Sequence, residues 1–308
     1  MKLFPEETKI DFIGKRQISF VISFFAIAFF IFLLITKGLN FGIDFTGGTL
    51  IEVQTEKPAN ISEMRKILGN LDIGAISIQE FGTPNDVLIR IPEQPGGADA
   101  QKIVMDKVHR ALGEGVDYRR VEFVGPQVGL ELIKSGTQAV IFSLLGILLY
   151  VWFRFEWQFG VASVVALAHD AIMIIGFFAL TQSEFNLSTV AAVLMIAGYS
   201  INDTVVVFDR VRENLRKYKK KPLNELFNLS INQMLTRTLM TSITTMLALV
   251  SLWVFGGEVI RGFINALIVG IVIGTYSSTF IATPILLYLG IHRENAPDGK
   301  SSLAVEQA

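Results

Sequence analysis

The sequence predicts a polytopic α-helical membrane protein of six transmembrane helices, with one α+β domain inserted between the first two. Three observations predict it. Of 308 residues, 51% are hydrophobic and only 18% are charged, a balance that suits burial in lipid as well as in a core. Six apolar runs each reach the length needed to cross about 30 Å of hydrocarbon at about 1.5 Å per residue. Between the first and second runs lies a long polar interval whose patterning alternates between strand and helix periods.

The polar stretch 1–17 ends on Lys15 and Arg16, ahead of the first run, 18–36. That run is longer than a secretory core, and no small-x-small cleavage site follows it. It is expected as a retained helix with its N-terminus in the cytoplasm. The interval 37–133 then reads as strand 49–55, helix 60–71 with Ser62 near its start, and strands 75–81 and 87–91 joined around Gly82-Thr-Pro-Asn85. Helix 99–112 follows, with Ile103, Val104, Val108, Ala111 and Leu112 along one side, and then strand 118–124. The order β-α-β-β-α-β is that of a ferredoxin-like sandwich. The domain holds no catalytic constellation and is expected to bind or to transmit movement.

The remaining spans are 134–153, 159–181, 187–208, 238–256 and 263–289. The last exceeds the hydrocarbon thickness, so it should tilt or protrude, with a kink near Pro284. Gly270, Gly274 and Ser278 recur every four residues, as do Ser135, Ala139 and Ser143; both stripes read as helix-contact surfaces. In the connection 209–237, residues 209–218 should carry the fourth helix into water. Pro222 suits the first turn of a separate amphipathic helix, whose Leu223, Leu226, Phe227, Ile231 and Met234 would lie on the membrane surface. The Lys219-Lys-Lys221 run reads as an orientation signal that also meets lipid phosphates.

Lys and Arg placement orients the chain. The 209–237 connection carries Arg210, Arg212, Arg216, Lys217, Lys219, Lys220, Lys221 and Arg237, whereas 182–186 carries no positive charge and 256–262 only Arg261. The positive-inside rule puts both termini, including the tail 290–308, in the cytoplasm and the inserted domain outside.

Function classes narrow by exclusion. There is no cysteine, hence no disulfide, thiolate metal site or Cys nucleophile. His109, His169 and His292 are too scattered for a His-based metal site. Neither a phosphate-binding loop nor an H-E-x-x-H motif occurs, so neither an ATPase, another enzyme nor a cofactor-dependent protein is expected. Within the spans the ionisable groups are His169 and Asp170 in the third and Asp203 in the fourth; Arg237 stands where the fifth begins. A carboxylate at membrane depth costs about 2.5–3.5 kcal/mol on insertion scales, so such residues usually face a bundle interior and carry ions or protons. Tyr199 lies one turn before Asp203, Ser200 and Asn202 flank it, and Gly198 would permit close helix approach, making a polar patch. A guanidinium nearby favours the carboxylate and desolvation opposes it, so moving Arg237 relative to Asp203 would switch proton affinity.

Several motifs stand in a recognisable order. They are Phe41-Gly-Ile-Asp-Phe-Thr-Gly-Gly-Thr49, with Gly42, Asp44, Gly47 and Gly48, and Val121-Glu-Phe-Val-Gly-Pro-Gln-Val-Gly129, with Gly125 and Pro126. Then come Phe153-Arg-Phe-Glu-Trp157, Ala166-Leu-Ala-His-Asp170, Gly198-Tyr-Ser-Ile-Asn-Asp-Thr204, Phe208-Asp-Arg210 and Arg237-Thr-Leu239. With them the chain resembles the SecD/SecF family of bacterial protein secretion, on its SecF side, within the resistance-nodulation-division superfamily. The resemblance implies a six-helix half bundle and a SecD partner with a matching half. It implies work beside the SecYEG channel and its insertion factors on preproteins, driven by proton flow. The setting would be the bacterial inner membrane with its lipids; nucleic acid is not expected. The family's proton-pathway residues carry over onto Asp203 and Arg237. Two other readings stay open: an assembly subunit with no proton path of its own, and half of a small-molecule exporter of the same superfamily.

Overall fold

The computed structural model describes residues 8–113, 115–257 and 259–291. Residues 1–7 of the expected cytoplasmic N-terminus, and 292–308 of the expected tail, lie outside the described residues. Among those described, six helical stretches are long and apolar enough to cross a membrane. They are α1 (Arg16–Thr36), α5 (Pro126–Arg154), α6 (Trp157–Thr181), α7 (Leu187–Lys217), α8 (Leu223–Phe255) and a broken sixth made of α9 (Arg261–Ser277), a π turn (Ser278–Ala282) and α10 (Thr283–Tyr288). The molecule is a polytopic helical membrane protein.

Where the bundle packs tightly, small residues allow it. A Cβ on Gly176 of α6 would come within 2.3 Å of Phe30 of α1, and one on Gly270 of α9 within 2.1 Å of Ile196 on α7. Lipid tails are as apolar as leucine, so close backbone approach and interhelical hydrogen bonds, not apolar burial, hold such contacts. The Ser135, Ala139 and Ser143 stripe is exposed on α5.

One expectation about the helices is corrected, the separate amphipathic helix, and two others gain detail. The second span starts as helix at Pro126, well before 134, because Gly125 caps it in extended conformation and Pro126 occupies the first helical position. No separate amphipathic helix lies before the fifth span. Residues 223–255 hold neither Gly nor Pro and form a single helix. Its Leu226, Phe227 and Ile231 are buried against Phe208 and Val211 of α7 rather than laid on a lipid surface. The break near Pro284 is a π turn preceding the proline. Pro284 has no N–H to donate, and the Thr283 hydroxyl donates to the Ser278 carbonyl at 2.8 Å, easing the widened turn.

The N-terminal strap closes the end of the bundle that holds the α7–α8 connection. Phe12 and Ile13 are buried there, and both backbone N–H groups donate to Asn228 Oδ1 at 2.9 Å. Asn232 holds Ile10 through two further bonds, N–H to Oδ1 at 2.9 Å and Nδ2 to O at 2.8 Å.

The inserted domain runs β1 (Gly48–Thr55), α3 (Ile61–Gly69), β2 (Ser77–Phe81), β3 (Thr83–Ile91), α4 (Gly97–Leu112), β4 (Val116–Val124), after a short α2 (Ile43–Thr46). Its antiparallel sheet has the order β2-β3-β1-β4. Ile51 and Val53 of β1 pair with Ile89 and Val87 of β3, and with Met64, Leu68, Val104 and Val108 of the two helices they form one core. Each such side chain contributes about 1.5–3 kcal/mol. Ile103, expected on that inner side, is exposed. Helix α3 is capped by Asn60, which accepts from Glu63 N, and Ser62 stands in its first turn. The β2–β3 turn is tighter than Gly82–Asn85, since β3 begins at Thr83 and Gly82 alone takes positive φ, 84°. Leu50 and Leu88 point to the opposite face, over a cleft of about 680 Å³ that separates the sheet from the near ends of α7 and α9.

Candidate functional site within the helical bundle

Three helices converge on Asp170. The side chain is 2% exposed, and its Oδ2 accepts from Ser200 Oγ of α7 at 2.6 Å and from Ser277 Oγ of α9 at 2.8 Å. Its Oδ1 lies 3.0 Å from the Nδ1 of its neighbour His169. Hydroxyls from two other helices share one carboxyl oxygen, so this is a tie between α6, α7 and α9. Gly274, one turn before Ser277, makes the tie possible: its Cα faces Ser200, and an added Cβ would stand 3.1 Å from the serine's. Ser277 escaped the sequence reading, which took Gly270, Gly274 and Ser278 as one stripe. The spacing 270, 274, 277 describes the α7-facing side of the helix better, and was the signal available.

Asp203 stands one turn further along α7 than Ser200 and is 3% exposed. Its Oδ2 has no hydrogen-bond partner among the described residues, and neither has His169 Nε2. A buried polar atom left unpaired costs about 1–3 kcal/mol, so both atoms stand to gain from an outside partner. Arg237 is in the middle of α8, not at a helix start, and is exposed on that helix. No hydrogen bond or ion pair joins it to Asp203 among the described residues. Tyr199 is half-buried and reaches across to α8, its hydroxyl 3.5 Å from Ser242 Oγ. Two members of the expected patch fall elsewhere. Asn202 is exposed on the outer face of α7, and Gly198, also exposed, has nothing within 4 Å of an added Cβ. At 3.6 residues per turn, 198 and 202 share a side that turns away from α9.

The glycine motifs build the junction between domain and bundle. Asp44 Oδ2 accepts from Leu187 N, the first N–H of α7, at 2.9 Å, while Asn186 Oδ1 accepts from Thr189 N at 3.0 Å in a capping box. Together they satisfy donors that the helix start leaves open. Gly47 ends α2 at φ 71°. Gly48 takes φ 111°, and a Cβ there would come within 2.4 Å of the Ile91 carbonyl. Gly129 of α5 lies against the Phe45 carbonyl, with 3.3 Å for an added Cβ. Gly125 and Pro126 start α5 beside this junction.

The pattern of the SecD/SecF GG motif matches residues 32–59, and that of "Protein export membrane protein SecD/SecF, C-terminal" matches residues 104–292. The chain belongs to the SecD/SecF family. Proteins called "Protein translocase subunit SecF" are similar to it over nearly their whole length. The one from Rickettsia rickettsii is 46% identical over 93% of this chain and 94% of its own. Those from Cereibacter sphaeroides and Vibrio alginolyticus are 48% and 45% identical over 95% and 96% of this chain, covering 93% and 94% of theirs. Among solved structures, SecDF of Thermus thermophilus, described as a translocon-associated membrane protein, aligns with TM-score 0.85 at 35% identity over 93% of this chain. A SecDF in a "super-membrane-facing" form aligns at TM-score 0.66, also at 35% identity, over 94% of this chain. The chain spans 39% of the length of each of those SecDF chains.

Proposed function

We propose that the chain is the SecF half of a SecDF-type complex of the bacterial inner membrane and couples proton motive force to protein translocation. Asp203 is the group that gains and loses the proton in this reading, and Arg237 governs when. The observation that carries it is the contrast between two carboxylates in one bundle. Asp170 accepts from two serine hydroxyls and lies beside the His169 ring, whereas Asp203, as buried, presents a bare oxygen. A group that must exchange a proton in each cycle is better left unsaturated, since every fixed donor would have to be displaced first. The membrane potential supplies about 2.3 kcal/mol per charge per 100 mV, enough to bias a conformational equilibrium. His169 and Asp170 would extend the pathway through Ser200, with Tyr199 lining its approach.

A partner is implied by the same face. Gly198, Asn202 and Arg237 are exposed where bare lipid would be a poor neighbour for an amide and a guanidinium. A SecD-type half bundle is the occupant this reading assigns, with the SecYEG channel and its insertion factors, preprotein and lipid as further contacts. The sheet order β2-β3-β1-β4, all antiparallel, supports a ferredoxin-like domain, placed outside the membrane with both termini in the cytoplasm.

The test is proton conduction in liposomes holding the partnered complex. Asp203→Asn is expected to abolish conduction and the proton-driven gain in translocation, and Arg237→Ala to reduce both, at unchanged complex yield. Full conduction in Asp203→Asn would refute the assignment. The assembly reading has one observation in its favour, the Asp170 tie between three helices. It predicts instead that both variants lose complex yield and transport together.

A further inference from the structure

Among the described residues, the inserted domain is joined to the bundle three times. Two joints are covalent, through the chain leaving α1 and the chain entering α5. The third is the α6–α7 loop, which belongs to neither connection. Here Gly42 N donates to the Phe185 carbonyl at 2.9 Å, and Phe185 N to the Asn40 carbonyl at 2.8 Å. Asn40 Nδ2 donates to the Gln182 carbonyl at 2.8 Å, and Asp44 caps α7 at Leu187. From the sheet, Arg90 of β3 reaches into the same loop. It donates to Asn40 Oδ1 at 2.9 Å and pairs with Glu184 at 2.6 Å, the two side chains of the pair being 13% and 21% exposed. Gly42 has no room for a side chain beside Glu184: a Cβ would stand 2.5 Å from the carboxylate.

The loop joins the two helices that carry the site. Asp203 lies 16 residues beyond Leu187 on one unbroken helix, about 24 Å. Asp170 lies 12 residues before Gln182 on α6, about 18 Å. Ser200 and Asp170 then tie the two helices together at the depth of the site. A cleft of about 680 Å³ lies beside this joint, between the sheet and the ends of α7 and α9.

We propose that Arg90 and Glu184, with Asp44, are positioning residues that transmit displacement of the α6–α7 hairpin to the domain, so that proton uptake at the bundle becomes movement outside it. This rests on the proton-coupled reading above and assigns the residues through which it acts. Arg90 and Glu184 touch neither the proton site nor the chain being moved. Their loss therefore uncouples rather than blocks.

The experiment uses the full chain with its partner subunit, reconstituted with a translocation channel, and reads three quantities: complex yield, proton conduction, and the proton-driven increase in translocation. Arg90→Glu and Glu184→Arg are each expected to lower that increase about fivefold or more, the low end of ordinary coupling between sites, with yield and conduction as in the parent. The doubly reversed chain is expected to regain most of it, because the pair is restored with its ends exchanged. If a reversal prevents assembly, Arg90→Gln, which keeps a donor to Asn40, replaces it. Single variants that keep the full increase, or that lose conduction and yield together, overturn the proposal. A parent complex that conducts no protons, or an Asp203→Asn complex that conducts as the parent does, instead overturns the reading on which it rests.

Discussion

Asp11 illustrates how a residue with no evident role in the sequence fixes the end of the bundle. Its carboxylate accepts from Gly14 N at 2.8 Å and from Asn228 Nδ2 at 2.7 Å, which holds its pKa below the ordinary 3.8. A depressed value means the folded protein holds the proton less tightly than the unfolded chain. The stabilisation is therefore present above 3.8 and is lost as pH falls through the lower folded value. Asp11→Ala should melt earlier than the parent at neutral pH, with the gap closing only in strong acid; thermal unfolding against pH measures it. The same scale separates Asp170 from Asp203. Both were legible as membrane carboxylates, but their contrasting surroundings come from serines on other helices. Asn202, next to Asp203 in the chain, points away for the simple reason that adjacent residues on a helix stand about 100° apart.

At the scale of elements, packing decides more than local preference. The β1 strand places Ile51 and Val53 toward the helices and Leu50 and Glu52 on the opposite face, as a period of two predicts. Glu52 carries a cost there. Burial raises its pKa above 4.5, only partly offset by Arg120, so the folded domain favours the neutral acid and loses stability as pH rises through that raised value. Glu52→Gln is expected to raise the thermal midpoint at neutral pH, with the advantage fading as pH falls toward 4.5. The α7–α9 contact makes the opposite demand. Gly270→Leu would drive a side chain into Ile196 and should cost about 1–3 kcal/mol, read as a lower unfolding midpoint of the purified complex. Stability equal to the parent would mean the two helices have slack there. The amphipathic segment 223–234 taught the limit of periodicity. An apolar stripe says that something covers it, but a lipid surface and Phe208 of a neighbouring helix demand the same pattern.

Across the whole molecule, contacts distant in sequence close both ends of the bundle. At one end the N-terminal strap meets α8 more than 200 residues away, through Asn228 and Asn232. Asn228→Ala should destabilise the folded chain by about 1–3 kcal/mol, since the N–H groups of Phe12 and Ile13 lose their shared acceptor. Chemical denaturation of the detergent-solubilised protein measures this; an unchanged midpoint would show that the strap contributes nothing. At the other end the α6–α7 loop meets the inserted domain. Apolar run length, turn residues and strand alternation, all local quantities, sufficed from the sequence alone for six helices, the β-α-β-β-α-β order and the presence of ionisable groups within the spans. Only the tertiary structure decided which side chains share a site: Ser200 and Ser277 on Asp170, Asp203 left bare, Arg90 on Glu184. Those pairings depend on helix rotation and on the approach distance that Gly274 permits. Such distances are set by packing among segments far apart in the chain, and no local window of sequence contains them.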